Sequence, residues 1–376
     1  MAAFTLTVLR ERGSLATLVP AWEELAAHSL EPNPFYEPWI LLPALEARGG
    51  ANLRCVLLWQ GDKLAGFFPF TRERHYKGLP VSTLMSWRHS AYLLCTPLVR
   101  ADVAVDVLKA LLAWRGAEAS LIELKYLRAD GPFAAALAKA LRTSRAAFAT
   151  LARFSRPLMS KAPSAEAHLA QMSAGLRKEL RRKQRRISER PRYAEVVLGP
   201  GDDFGGEIER FIALEASGWK RAAGGAFACS ETGLRFGRAV LGEAARRRRL
   251  HMVGIDVDGR PIARRFSLLA ADGAYAFKTA YDESYAQYSP GVLAEVLRMR
   301  EFHRLPQPWI DSYTDPANAT ANRMWHDRRE FETLSIAAGA WGEFWLSMLP
   351  LLRWTARTFA QRGSDSSARQ NFSISR

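Results

Sequence analysis

The sequence predicts an α/β protein of two lobes, each a mixed β-sheet flanked by helices. Helical and strand-like periodicities alternate along most of the chain, which is the mark of α/β layers. At 376 residues the chain exceeds the ~250–300 residues at which a single hydrophobic core stops growing. A strand–turn–strand pattern also occurs twice. "LRCVLLWQGDKLAGFFPFTRE" (53–73) and "LHMVGIDVDGRPIARRFSLLA" (250–270) each hold an apolar strand, a tight turn, a basic residue and a second strand. The turns are Gly61-Asp62 and Asp258-Gly259, chemistry that closes hairpins. Gly66 and Ala263 occupy matching places 197 residues apart, the size of a domain rather than of a solenoid unit.

The elements follow in order. The first lobe spans 1–160. After its hairpin come the helical patterns "ADVAVDVLKALLAWRG" and "GPFAAALAKALRTS" around the short strand "ASLIELKYL". Residues 161–192 form a basic linker helix. Ser164 is placed to cap it, and Leu169, Met172, Leu176, Leu180 and Ile187 share one face. The second lobe spans 193–338. Helical patterns "DFGGEIERFIALEASGWK" and "TGLRFGRAVLGEAARRRRL" precede its hairpin. The strand "AYAFKTAYD", a helix opening at Pro290, the strand "PWIDSYTD", a helix through "NATANRMWHDRR" and the strand "FETLSIAA" follow it. Residues 339–362 read as an amphipathic helix with three Trp and flanking Arg, fit either for an anionic membrane surface or for the protein's own surface. The tail 363–376 has a disordered composition.

Apolar content of 48% and charged content of 24% describe a globular chain. The N-terminus lacks the long apolar core of a signal peptide, and no run reaches the ~18 residues of a spanning helix. Cys55, Cys95 and Cys229 share no metal or redox spacing, and the seven His form no metal-type cluster. These features lead to the expectation of a cytoplasmic protein with reduced thiols and no metal. The net charge is +15. Either arginine-rich composition or a polyanionic ligand accounts for it. From Gly175 to Arg192 there are nine basic and two acidic residues. That stretch is either a solvated helix face or a contact for polyphosphate or RNA.

The stretch "AFKTAYDESYAQYSPGVLAEVLRMREF" (276–302) raises a sharper question. Ser289 can cap the helix, Pro290 suits its first position, and Gly291 allows close backbone approach. A helix start also holds anions readily. Capping and anion binding are both consistent with these three residues.

The order hairpin, strand, anion-ready helix start, strand, helix resembles that of GNAT-type N-acyltransferases. The wider sequence is similar to the CelD/BcsL-like branch of that superfamily. The likeness is carried by "NPFYEPWILLPAL", "LRKELRRKQRR", "EASGWK", "DGRPIARRFSL", "AFKTAYDESYAQYSPGVLAEVL" and "WIDS". The resemblance implies a double GNAT architecture related to Fem-type aminoacyltransferases. It implies acyl-coenzyme A (acetyl-coenzyme A) as co-substrate, with Gln287, Ser289, Pro290, Gly291 and Val292 holding its pyrophosphate. The acceptor would be an amine or hydroxyl on a small molecule or glycan precursor of the cell envelope or an exopolysaccharide. Aminoacyl-tRNA as donor, or a non-catalytic binding role, are the alternatives. Such a substrate would suit peripheral contact with the inner membrane face through the C-terminal helix. Two departures stand out. "QYSPGV" has one glycine where the family's loop carries two, and Asn318 is followed seven residues on by Trp325 rather than by the Tyr that protonates the leaving thiolate.

Direct acyl transfer needs a base, an oxyanion donor and positioning, but no protein nucleophile. The chain has no Gly-x-Ser-x-Gly elbow. Asp311, among apolar neighbours, is the first base candidate, with pairing to an Arg as its structural alternative. Lys278 lies on a strand face with Ala276 and Ala280, as a ligand contact or in a plain salt bridge, and Tyr281, Tyr285, Tyr288 or water is the candidate acid. Glu215, Trp219 and Lys220 are candidates for the acceptor pocket. Arg264 and Arg265 fall on opposite faces of a strand; one of them points into the domain or its cleft and needs an anionic partner, and Arg264 is taken as the substrate ligand.

Overall fold

A computed structural model describes residues 3–348, apart from 77–78, 90–92, 115–117 and the side chain of Trp219. The first half runs β1 (Thr5–Leu9), α1 (Val19–Ala27), α2 (Pro38–Arg48), β2 (Leu53–Gln60), β3 (Lys63–Glu73), β4 (Thr83–Ser86), β5 (Leu98–Val99), α3 (Ala104–Ala113), β6 (Leu121–Arg128), α4 (Pro132–Ser144) and β7 (Phe148–Ser160). Next come α5 (Ala165–Ala170) and α6 (Ala174–Ser188). The second half runs β8 (Ala194–Leu198), α7 (Gly205–Ser217), α8 (Trp219–Ala222), α9 (Glu231–Arg246), β9 (Leu250–Val257), β10 (Arg260–Leu269), β11 (Ala274–Tyr281), α10 (Pro290–Phe302), β12 (Trp309–Asp311), α11 (Ala319–Met324) and β13 (Asp327–Ala337).

The mixed α/β class is as expected, but the two sheets are one. The strand order is β1-β2-β3-β4-β6-β13-β7-β12-β11-β10-β9-β8, with β5 paired to β3. The halves correspond in order from β1 with β8 to β7 with β13, except that β5 and α8 have no counterpart. Their last strands are exchanged: β13 pairs with β6 of the first half, β7 with β12 of the second, and β7 and β13 pair with each other. Sequence periodicity shows that a strand exists but not which neighbour it finds, so this junction was out of its reach.

The hairpin repeat holds in register. Leu53↔Thr71 corresponds to Leu250↔Leu268, and Leu58↔Gly66 to Ile255↔Ala263. The bulge falls at Ala65 in one and at Ile262 in the other, the same place in each hairpin. A bulge bends a strand and re-aims the side chains beyond it.

The expected linker helix is two helices. Ser164 Oγ accepts the Ala167 amide at 3.1 Å to cap α5, and Ser173 caps α6. Met172, Leu176, Leu180 and Ile187 are buried against α10 and β9–β12. Trp22, Phe35 and Trp39 of the first half share a core with Phe211, Phe236 and Phe266 of the second. Ion pairs Arg249–Glu37 and Arg247–Glu23 rim that junction. Residues 340–348 continue as helix, with Leu346 and Trp345 packed beside Tyr76, Val81 and Leu121, so one face of this portion of the expected C-terminal helix packs on the protein itself, while Trp341 and Phe344 are exposed. The rest of it, and the expected tail, lie outside the described residues. Among the described residues no helix is long and apolar enough to cross a membrane.

Candidate active site

The site begins where two parallel strands part. β11 and β12 pair only at Ala274↔Ile310 and Tyr275↔Asp311. Beyond these, β11 runs on to Tyr281 beside β10, while the chain leaves β12 through Ser312, Tyr313 and Thr314. The wedge between them is a cavity of about 540 Å³. Ala276–Thr279 and Tyr281 form one wall, Ser312–Thr314 the other, and Asn318, Ala321 and Trp325 close the far side. Ser289, Gly291 and Val292 of the α10 opening stand at its edge. Two hydroxyls in these walls, Thr279 Oγ1 and Ser312 Oγ, are buried without a hydrogen-bond partner among the described residues. A buried hydroxyl left unpaired costs about 1–3 kcal/mol, a penalty that a polar ligand would relieve.

The helix opening departs from ordinary capping. Ser289 is left-handed (φ 53°), and its side chain caps no amide. Its carbonyl accepts from Val292 and Leu293 at 2.9 and 3.0 Å, and Pro290 has no amide. Among the described hydrogen bonds, Gly291 keeps the one unclaimed amide of the first turn. Ser289 Oγ accepts from Lys183 Nζ of α6 at 2.7 Å, and Arg186 of α6 lies over the Tyr288 ring at 5.6 Å. The basic helix therefore reaches the mouth of α10. Gly291 serves packing as well: a Cβ there would lie 3.1 Å from Tyr281 Cδ1. Of the residues expected to hold the pyrophosphate, Ser289, Gly291 and Val292 line the cavity, Pro290 is buried in the helix, and Gln287 is exposed and does not line the cavity.

The cavity floor is charged. Arg265 donates from Nε and Nη2 to the Gly291 carbonyl at 2.9 and 2.7 Å, and its Nη1 lies 2.7 Å from Glu295 Oε2. Burial lowers Arg265 to about 10, against the pull of Glu295. Glu295 also accepts from Arg298 and from Trp325 Nε1. Burial pushes its carboxyl up, but Arg298 and Arg265 outweigh this and hold it below the usual range. Trp325 is thus bound to Glu295.

At one end, Glu215 is 2% exposed and sits between two lysines. Its Oε1 lies 3.4 Å from Lys278 Nζ and 3.5 Å from Lys220 Nζ, and its Oε2 accepts the Phe227 amide at 2.9 Å. Lys220 also donates to the Thr279 carbonyl. Burial lowers Lys220 to about 8, Glu215 opposes the shift, and Lys278 and Arg265 add to it. Lys220, Lys278 and Tyr281 all line the cavity. Glu215 backs them, and the Trp219 side chain lies outside the described residues.

Two expectations are corrected. Asp311 is fully buried and does not line the cavity. Arg156 binds both its oxygens (2.6 and 3.0 Å), Arg329 approaches to 3.7 Å, and the Tyr313 amide donates at 2.9 Å. A carboxylate with its lone pairs so engaged is structural, not a free base. Arg264 is also fully buried, bound to Glu207 at 2.7 Å and Asp256 at 2.6 Å, and Arg265 faces the cavity instead. Adjacent strand residues face opposite ways, so the bulge at Ile262 settles which arginine looks in. Glu295 and Arg298 were missed. Their spacing from Gly291, four and then three residues, marks a polar face on an apolar helix and could have been read.

Residues 174–315 match the family described as the acetyltransferase (GNAT) domain. Comparison with curated proteins finds no match. Among solved structures, FemX is similar at TM-score 0.53 and 9% identity, covering 84% of this chain and 95% of that one. The C-terminal domain of a putative lysylphosphatidylglycerol synthetase from Agrobacterium fabrum is similar at TM-score 0.52 and 12% identity, covering 90% and 97%. A tandem GNAT protein from the clavulanic acid biosynthesis pathway aligns at TM-score 0.40 and 13% identity, covering 90% and 99%. At these identities, the first two likenesses concern the fold.

Proposed function

We propose that the protein is an acyltransferase using acyl-coenzyme A, with a cell-envelope or exopolysaccharide precursor as acceptor, in the CelD/BcsL-like branch of the GNAT proteins. The observation that carries the reading is the wedge between β11 and β12, opening at the mouth of α10 with two unpaired hydroxyls inside.

The residues fit such a donor. Gly291 offers its amide, Ser289 its hydroxyl, and Lys183 a positive charge at the same edge. Lys183 and Arg186 supply from α6 the charge that a loop with one glycine lacks in backbone amides. Thr279 and Ser312 offer hydroxyls deeper in. When bound, the thioester supplies the activated acyl group. Lys220, lowered to about 8, is the group that takes a proton from the acceptor amine, with Glu215 and Lys278 fixing its position. Tyr281 stands at the cavity wall as the proton source for the leaving thiolate.

Calorimetric titration and thermal unfolding with acetyl-coenzyme A, desulfo-coenzyme A and bulk tRNA test this. A ligand at 100 times its Kd stabilises the fold by about 2.7 kcal/mol. Binding of both coenzymes, weakened in Lys183→Glu, supports the reading. Binding of tRNA alone would move it to aminoacyl transfer, the role favoured by the exposed Lys178, Arg181 and Arg182 of α6. Binding of neither would leave a non-catalytic fold.

A further inference from the structure

On the face of α10 away from the cavity-lining Gly291, Glu295 and Arg298, α5, α6 and α10 enclose a second space of about 380 Å³. Leu169, Met172, Leu180, Leu293 and Val296 form its floor. Its rim is Arg177, Arg181, Arg185 and Arg300, and no lining residue is acidic. Arg177 is spent on the Ala170 and Met172 carbonyls, both at 2.6 Å. Arg300 lies 3.9 Å from Glu195 at the edge. Arg181 and Arg185 are exposed and have no ion-pair partner among the described residues.

An apolar floor under an arginine rim fits a ligand with an apolar body and an anionic end. The geometry points to a binding site for the acyl chain of an anionic amphiphile, with the chain on Leu180, Leu293 and Val296 and its phosphate or carboxylate on Arg181 and Arg185. Size and charge both favour this occupant. A helix about 10 Å across fills roughly 420 Å³ per turn, so the space holds less than one turn of a partner helix. It lies instead within the ~300–1,000 Å³ of small-molecule sites. The chain's own residues 349–376 carry five Arg and one Asp, the same sign of charge as the rim. Arginine's planar fork suits phosphate and carboxylate oxygens. The site is separate from the β11–β12 wedge, and the inference does not rest on the coenzyme reading.

The test is binding of dodecyl phosphate below its micelle threshold, read by calorimetry on the full chain. Octyl phosphate, inorganic phosphate, dodecyltrimethylammonium, poly-glutamate, and phosphatidylcholine vesicles with and without phosphatidylglycerol are titrated alongside. Dodecyl phosphate is expected to bind more tightly than octyl phosphate, and inorganic phosphate and the cationic amphiphile not to bind. Val296→Trp, which fills the floor and excludes the chain, and the exposed pair Arg181→Glu/Arg185→Glu, which loses charge-assisted contacts, should each weaken binding at least about tenfold. The arginine pair is at the surface, so its folding is not at stake if Val296→Trp misfolds. Vesicle binding that needs phosphatidylglycerol and falls in the same variants identifies the source as a bilayer lipid. Binding of the free amphiphile without vesicle binding identifies a soluble one. Absence of dodecyl phosphate binding, binding untouched by the arginine pair, or equal binding of poly-glutamate overturns the inference.

Discussion

Asp311→Ala separates a structural carboxylate from a catalytic one. It removes both acceptors of Arg156, whose side chain is fully buried, and leaves that guanidinium with the Leu93 carbonyl as its remaining hydrogen-bond partner. Breaking a buried pair by removing one partner costs about 3–5 kcal/mol, because a charge is left uncompensated. The Tyr313 amide loses its acceptor as well, but the two losses share one cavity and do not add in full. The expected destabilisation is therefore about 3–5 kcal/mol, read as a lower urea midpoint at unchanged slope. The double variant Arg156→Met/Asp311→Leu removes the Arg156 charge with its partner and should recover part of the loss, since apolar replacement of a buried pair is often neutral while Arg329, 3.7 Å from Asp311, keeps its charge. Coenzyme binding in that double variant should persist, because Asp311 does not line the cavity. A loss below about 1 kcal/mol for Asp311→Ala, or a double variant no more stable than the single one, would refute the reasoning. Full stability with abolished turnover would return Asp311 to the role of base.

Other outcomes follow from named contacts. Turnover on an amine acceptor should rise with pH through about 8 as Lys220 loses its proton. The neutral amine exists above that pKa and the inactive ammonium below it, so Lys220→Met should abolish the limb while leaving coenzyme affinity within a few-fold. Lys183→Glu places a carboxylate beside Ser289 and should weaken acetyl-coenzyme A by about tenfold or more, a loss of one charge-assisted contact, measured by calorimetry. Gly254→Ala should destabilise the fold by about 1–3 kcal/mol through overpacking, because its Cβ would lie 2.5 Å from Arg264 Nη1 and 2.8 Å from the Ala263 carbonyl. Thermal unfolding reads that loss.

Much of the second half was legible because it is local. Turn residues set the hairpins, and Pro290 set the start of α10. The face of α6 followed from its apolar spacing, and all of these appear where the sequence puts them. What was hidden depends on partners far along the chain. Asp311 was readable only as a carboxylate among apolar residues, because its partner Arg156 lies 155 positions away. The choice between Arg264 and Arg265 turned on a single bulged residue. Ser289 looked like a cap, yet its hydroxyl is held by Lys183, 106 positions earlier. Lys220 was placed in the acceptor pocket, but its lowered pKa needed the burial and the neighbouring Lys278 that only folding supplies.

The repeat also explains why the site lies in the second half. The first half has the same parallel pair, β4 with β6, joined at Thr83↔Leu121, Leu84↔Ile122 and Met85↔Glu123. Beyond that pairing the first half is filled by its own chain. Ser86 Oγ accepts the Lys125 amide at 3.1 Å, and the Cys95 amide donates to the Tyr126 carbonyl at 3.4 Å. Leu94, Cys95 and Thr96 are fully buried there. Thr96 is held at both ends: its carbonyl accepts from Asn33 Nδ2 at 2.8 Å, and its hydroxyl donates to Glu31 at 3.0 Å. Thr96, paired at both its carbonyl and its hydroxyl, has nothing to gain from a ligand. In the second half the corresponding strands part after two pairs, no segment among the described residues fills the gap, and Thr279 and Ser312 keep hydroxyls unpaired among those residues. One topology thus serves as a plug in the first half and as an open cleft in the second. The exchange of β7 and β13 ties the two together, since the strand beside β12, at the base of the cleft, comes from the plugged half.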